Sequence, residues 1–188
     1  AKRPDIASVY AAKVAENSNT EKDWSFAGQR FYYSVRFTKD PAERPALYNS
    51  AIACFQKSLQ INPNNTDVKV DLASCYVEGS QEPMKGITMM REIEKTDSLN
   101  FKLQLHFGLF SANSGQWPRA ISRFQKVLSI DSTYIEAWLH LADAYENNGE
   151  TEKSVQALEQ YLNRTDDQLA KTTIKEYILK KKKEFKLK

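Results

Sequence analysis

A chain of 188 residues, 41% hydrophobic and 27% charged, has the length of one ordinary domain or one repeat array and enough apolar content to bury a core. Six Gly and six Pro argue against a loop-rich or many-stranded all-β protein, and two Cys exclude a disulfide scaffold and a four-thiolate zinc site. The net charge of +3 conceals an asymmetry: residues 168–188 carry eight Lys against two Glu, which leaves the rest of the chain mildly acidic.

No apolar run approaches the roughly 18 residues of a membrane-spanning helix, and no signal-peptide apolar stretch is present. The first residue is Ala1 and not Met, so the expectation is a mature product or an excised piece. The compartment stays open between cytoplasm and periplasm, with an anchor upstream of Ala1 unseen.

The spacing of apolar residues predicts helices from the first turn onward. Residues 1–20 read as an N-terminal packing helix over about 4–17, opened by Pro4 and closed by Asn17–Thr20. Ile6, Tyr10 and Val14 are its expected inner face. Residues 21–65 form a first helical hairpin, with Trp24, Ala27, Gly28 and Phe31 on one helix and Ala51 and Phe55 on the next. This unit exceeds the later ones by about eleven residues, and the surplus falls at Arg36–Ala46, as a lengthened first helix or an inserted loop. Residues 66–100 form a second hairpin around Leu72, Ala73, Tyr76, Gly86 and Met90.

Residues 101–134 and 135–168 then align at a shift of 34. Gly108 falls on Ala142, Gly115 on Gly149, Ala120 on Ser154, Phe124 on Leu158 and Leu128 on Leu162. Small residues meet small ones and large apolar ones meet large ones. Gly115 and Gly149 are read as left-handed helix stops, and Pro118 as a first-turn proline whose missing N–H costs nothing. Residues 169–188 are the expected C-terminal capping helix, with Ala170, Ile174, Tyr177, Ile178 and Phe185 inward and the Lys residues outward.

This pattern resembles the tetratricopeptide repeat family, whose signature is W-x2-L-G-x2-Y, then A-x3-F, then Pro. The fourth unit shows Trp138-x2-Leu141-Ala142-x2-Tyr145 and Ser154-x3-Leu158. The first shows Trp24-x2-Ala27-Gly28-x2-Phe31, then Ala51-x3-Phe55 and Pro63. The third has Gln104 for the Trp, and the second has Lys69 there. The resemblance spans about residues 21–168, and a bacterial member is the expectation. It implies an all-α fold: a right-handed α-solenoid of helix–turn–helix repeats with a C-terminal capping helix. A hairpin this short cannot bury its apolar face alone, so neighbours stack, and small residues let the backbones cross closely.

The resemblance also implies that partners lie along a concave groove lined by the first helix of each unit. The expected groove residues are Phe26, Gln29, Tyr33, Val70, Asp71, Ser74, Lys102, Leu105, His106, Leu109, Leu139, His140 and Asp143. An apolar floor with acidic walls, to which Asp67 and Glu136 add, favours a partner segment with apolar anchors and basic flanks. His106 and His140, 34 apart, are expected to face the same groove as polar lining; two such ligands make a poor zinc site. Some family members grip the C-terminal carboxylate of heat-shock chaperones with Lys and Asn side chains. Here Ser25, Gln29, Asp71, Lys102 and His106 stand at those places; only Lys102 fits, so no such clamp is expected.

Cys54 and Cys75 are read as reduced packing thiols. Enzyme motifs are absent, and no metal or cofactor is expected. The sequence therefore points to a non-enzymatic scaffold for a protein or peptide, with no small-molecule substrate. The alternative is a tether to an acidic membrane surface or nucleic acid through the Lys run at 180–183. Nucleic acid is the weaker form of that alternative, and self-association through an open end stays in view.

Overall fold

The computed structural model describes residues 4–186, with side chains described for residues 6–183. Among the described residues it is all-α: α1 (Pro4–Ser18), α2 (Glu21–Ser34), α3 (Arg44–Ile61), α4 (Thr66–Gly79), α5 (Pro83–Thr96), α6 (Phe101–Asn113), α7 (Trp117–Ile130), α8 (Glu136–Asn147), α9 (Thr151–Leu162) and α10 (Gln168–Lys186), with a short 3-10 turn at Pro41–Glu43. The fold class is an all-α solenoid of helical repeats. The chain divides into two compact units, Ala1–Ser98 and Leu99–Lys188.

Local chemistry explains where the helices start and stop. Thr20 accepts from the Asp23 amide to open α2, Asn65 accepts from Val68 to open α4, and Asn100 accepts from Leu103 to open α6. Pro sits in the first turn of α3, α5 and α7, where no helical hydrogen bond is lost. Gly115 and Gly149 follow α6 and α8 with φ of +70° and +80°, the left-handed region that ends a helix without a side-chain penalty. Asn19 takes the same role after α1 at φ 45°, its amide donating to the Ala15 carbonyl.

In the first unit each helix packs on its predecessor, and Ala11, Ala15, Ala27, Phe31, Tyr48, Ala51, Phe55, Leu72 and Tyr76 share one core. The surplus at Arg36–Ala46 is a loop and not a lengthened first helix. It comprises a turn after α2, the 3-10 turn capped by Asp40 (which accepts from the Ala42 amide), and the start of an 18-residue α3. In the second unit the core joins Ala120, Phe124, Leu141, Ala142, Leu158 and Ile178, so α10 closes it through Ile178 and the half-buried Ile174.

Two expected faces differ. On α1 the buried positions are Ser8, Ala11 and Ala15, while Ile6, Tyr10 and Val14 are exposed. Small residues let α1 approach α2 closely, and Ser8 Oγ lies 3.4 Å from Ser34 Oγ at that contact. On α10 the basic residues do not all face outward. Lys181 pairs with Glu146 of α8, and Lys182 pairs with Glu159 of α9 at 2.7 Å. Tyr177 is partly exposed, and Phe185 lies outside the described side chains.

The Glu146 hydrogen bond raises Lys181 above the ordinary lysine value of 10.5. The pair therefore holds at neutral pH and fades only as pH climbs through that raised value. At ~1 M salt the screening length falls to about 3 Å. Faster amide exchange in the C-terminal half of α10, with α9 unchanged, is the expected result there, read by hydrogen-exchange mass spectrometry.

Candidate functional site

In the first unit, α2 turns Ala27, Gly28 and Phe31 inward, which leaves the opposite stripe to solvent. Phe26 is 54% exposed and Tyr33 46%, and Phe37 in the following turn is 52% exposed. The Tyr33 and Phe37 rings are 4.7 Å apart, and the Arg30 guanidinium lies 5.4 Å above the Tyr33 ring. Gln29 is exposed and donates to Asp71 Oδ2 at 3.2 Å.

Of the expected groove residues on α4, Val70, Asp71 and Ser74 do not line an open surface: all three are buried. α4 is enclosed on nearly every side, so a position that faces a groove in the repeat pattern becomes interior here. The Ser74 hydroxyl turns back to the Val70 carbonyl at 2.9 Å. With Asp71 buried, one of the four expected acidic walls is gone. Glu78, lower on α4, accepts from the hydroxyls of Tyr32 and Tyr48, each at 3.0 Å. Burial and that carboxylate push both phenols well above the ordinary tyrosine value.

In the second unit, Lys102, Leu105, His106 and Leu109 are half-buried on α6, and Leu105 and Leu109 also pack on the core. On α8, Leu139 is half-buried and Asp143 exposed, its carboxylate accepting from Asn147 one turn on. His140, like His106, is half-buried. Its ring stacks on buried Phe124, centroids 5.0 Å apart at 20°, whereas the His106 ring lies 5.8 Å from Phe110 on its own helix. Among the described residues no group of three or more His, Cys, Asp or Glu is placed to hold a metal ion.

A cleft of about 310 Å³ runs beside Leu139, Asp143 and Glu146 of α8, and its far wall is Thr173, Ile174 and Tyr177 of α10. The capping helix thus walls the surface that α8 presents, which sequence reasoning did not connect. Arg30 and Phe37 were also missed, although the spacing Phe26, Arg30, Tyr33, Phe37 is legible as one helical stripe.

Cys54 and Cys75 are both free and buried. Burial pushes the Cys54 thiol up to about 11 and the Cys75 thiol well above its ordinary value. Thiols raised in this way stay largely protonated near neutrality, which lowers their reactivity. Both thiols are expected to resist an aromatic disulfide reagent at neutral pH and to react once the chain is unfolded in guanidinium.

Comparison with known proteins bears on this geometry. Family models described as tetratricopeptide repeat match residues 112–173 and residues 47–65. The chain carries tetratricopeptide repeats. No curated protein matches the sequence. Among solved structures, YrrB is similar at 19% identity and a TM-score of 0.57, over 92% of this chain and 84% of that one. YrrB is described as a TPR protein with an unusual peptide-binding site. MamA is similar at 19% identity and a TM-score of 0.59, over 86% of this chain and 88% of its own. At such identity the likeness speaks for the tetratricopeptide fold alone. The fold and family support a protein–protein interaction scaffold. No helix among the described residues is long and apolar enough to cross a membrane.

Proposed function

We propose that this tetratricopeptide protein is a non-enzymatic adaptor that holds a peptide or protein segment against the exposed faces of its first helices. The observation that carries the reading is the aromatic stripe on α2. Phe26 and Tyr33 stand about half exposed on a rigid helix whose other side is locked into the core. Large rings grouped on solvent-facing helix positions form an apolar patch of the kind that marks interaction sites, and a preformed surface loses little entropy on binding. Leu105, Leu109 and Leu139 offer apolar area of the same kind in the second unit. YrrB, with its peptide-binding site, is a relative in fold that fits the same reading.

The tether reading is the weaker one. Lys181 pairs with Glu146, and Lys182, though exposed, pairs with Glu159, so two of the four cations of that run are offset by acids. The expected basic flanks of a partner also lose support at the first unit, where Asp71 is buried.

The test is affinity capture with the wild-type chain and with a Phe26→Asp/Tyr33→Asp variant of unchanged helicity. These rings are better targets than Leu105 or Leu139, which also serve the core. Loss of a defined set of proteins on substitution supports the adaptor. Equal recovery of every protein by both chains counts against it.

A further inference from the structure

We infer that the stripe on α2 selects an acidic partner: a segment with aromatic or aliphatic anchors flanked by carboxylates. The inference rests on the adaptor reading and adds the partner's charge. Phe26, Arg30, Tyr33 and Phe37 follow one another at helical spacings of four, three and four, which places them along one face and its continuation into the turn. From Phe26 to Lys39 the chain carries Arg30, Arg36 and Lys39 and no acid, and Lys22 stands one turn before Phe26.

Most acids near the stripe have partners of their own: Asp40 and Glu43, which follow Lys39, accept from the Ala42 amide and the Thr38 hydroxyl. Asp71 is buried against Gln29, and Glu78 is held by two tyrosine hydroxyls. Asp23 accepts from Ser18 at 2.6 Å and Thr20 at 2.7 Å, and Glu21 accepts from Asn65 at 2.6 Å. Their oxygens serve helix starts and interhelical contacts, and Asp23 also acts electrostatically on Lys22.

Arg30 is the distinctive element. A guanidinium resting on the Tyr33 ring is held in one place by cation–π attraction and is only weakly hydrated. Its planar N–H fork stays available for a carboxylate in two-point contact. The rings beside it supply the apolar anchorage. A run of phosphates would find only scattered cations separated by aromatic rings. Carboxylates interspersed with apolar side chains suit that layout.

The experiment measures fluorescence anisotropy of blocked amphipathic peptides of about 18 residues, five helical turns. All share Leu and Phe anchors at helical spacing and carry Glu, Gln or Lys elsewhere; a single-stranded oligonucleotide is the fourth probe. The full-length chain is expected to bind the Glu peptide about tenfold more tightly than the Gln peptide and the Lys peptide weakest of all. Arg30→Gln should weaken the Glu peptide about five- to tenfold, with Arg30→Lys failing to restore it, while leaving the Gln peptide unchanged.

Equal affinity for Glu and Gln peptides, binding of none, preference for the Lys peptide or tighter binding of the oligonucleotide would each overturn the inference. An unaltered Glu-peptide affinity in Arg30→Gln would do the same. If capture in the previous experiment is lost on Phe26→Asp/Tyr33→Asp while the peptides show no charge preference, the adaptor stands and the acidic partner falls.

Discussion

Phe124→Ala is expected to destabilise the second unit by about 3–5 kcal/mol, the range for emptying a buried aromatic site. The Phe124 ring is 1% exposed and stacks on His140. Gly108 also meets the ring: a Cβ added there would lie 2.5 Å from it. That contact makes a second, sharper expectation available. Gly108→Ala alone should cost about 1–3 kcal/mol by overpacking. In the Phe124→Ala background the obstructing ring is gone. Gly108→Ala should then be neutral or stabilising, because Ala is favoured over Gly inside a helix by about 1 kcal/mol. Denaturant unfolding of the four chains, with the slope as a check on cooperativity, closes the cycle. Additive costs would mean that the ring and the glycine do not meet.

Gly86→Ala carries the second large effect, and its sign runs against helix propensity. Gly86 lies inside α5, where propensity alone would reward Ala by about 1 kcal/mol. A Cβ there would stand 2.3 Å from the Ala73 carbonyl oxygen of α4 and 2.7 Å from a Val77 methyl. A backbone oxygen cannot rotate aside as a side chain can, so α4 and α5 must separate. The expected net loss is about 2–3 kcal/mol, the upper part of the overpacking range. Gly115→Ala is the control: nothing lies within 4 Å of its added Cβ, and its cost of about 1–2 kcal/mol comes only from the left-handed φ of +70°. Thermal or urea unfolding of the two variants separates crowding from backbone strain. A Gly86→Ala chain as stable as wild type would show that the helices tolerate wider spacing.

The repeat was legible because its rules are local. A shift of 34 aligned Gly108 with Ala142 and Phe124 with Leu158, and the structure seats Phe124, Ala142 and Leu158 in one core. Gly115, Gly149 and Pro118 were readable because a helix end depends on one or two residues in a defined backbone state. The surface was less legible. Val70 and Ser74 occupy groove positions by spacing but are buried, since α4 is enclosed on almost all sides. His140 matches His106 in register yet stacks on Phe124, because a ring of its size takes whichever neighbour the packing offers.

The clearest division is on α1 and α10. The sequence alone determined that both are helices, that one opens at Pro4, and that consecutive helices pair within each unit. Only the tertiary structure decided which side of each helix turns inward. α1 buries Ser8, Ala11 and Ala15 and leaves Ile6, Tyr10 and Val14 in solvent; α10 sends Lys181 and Lys182 onto acids of the preceding hairpin. Helix formation is settled among residues within about four positions of each other. Burial and ion pairing are settled by groups far away in the chain, whose distance and size no local window contains.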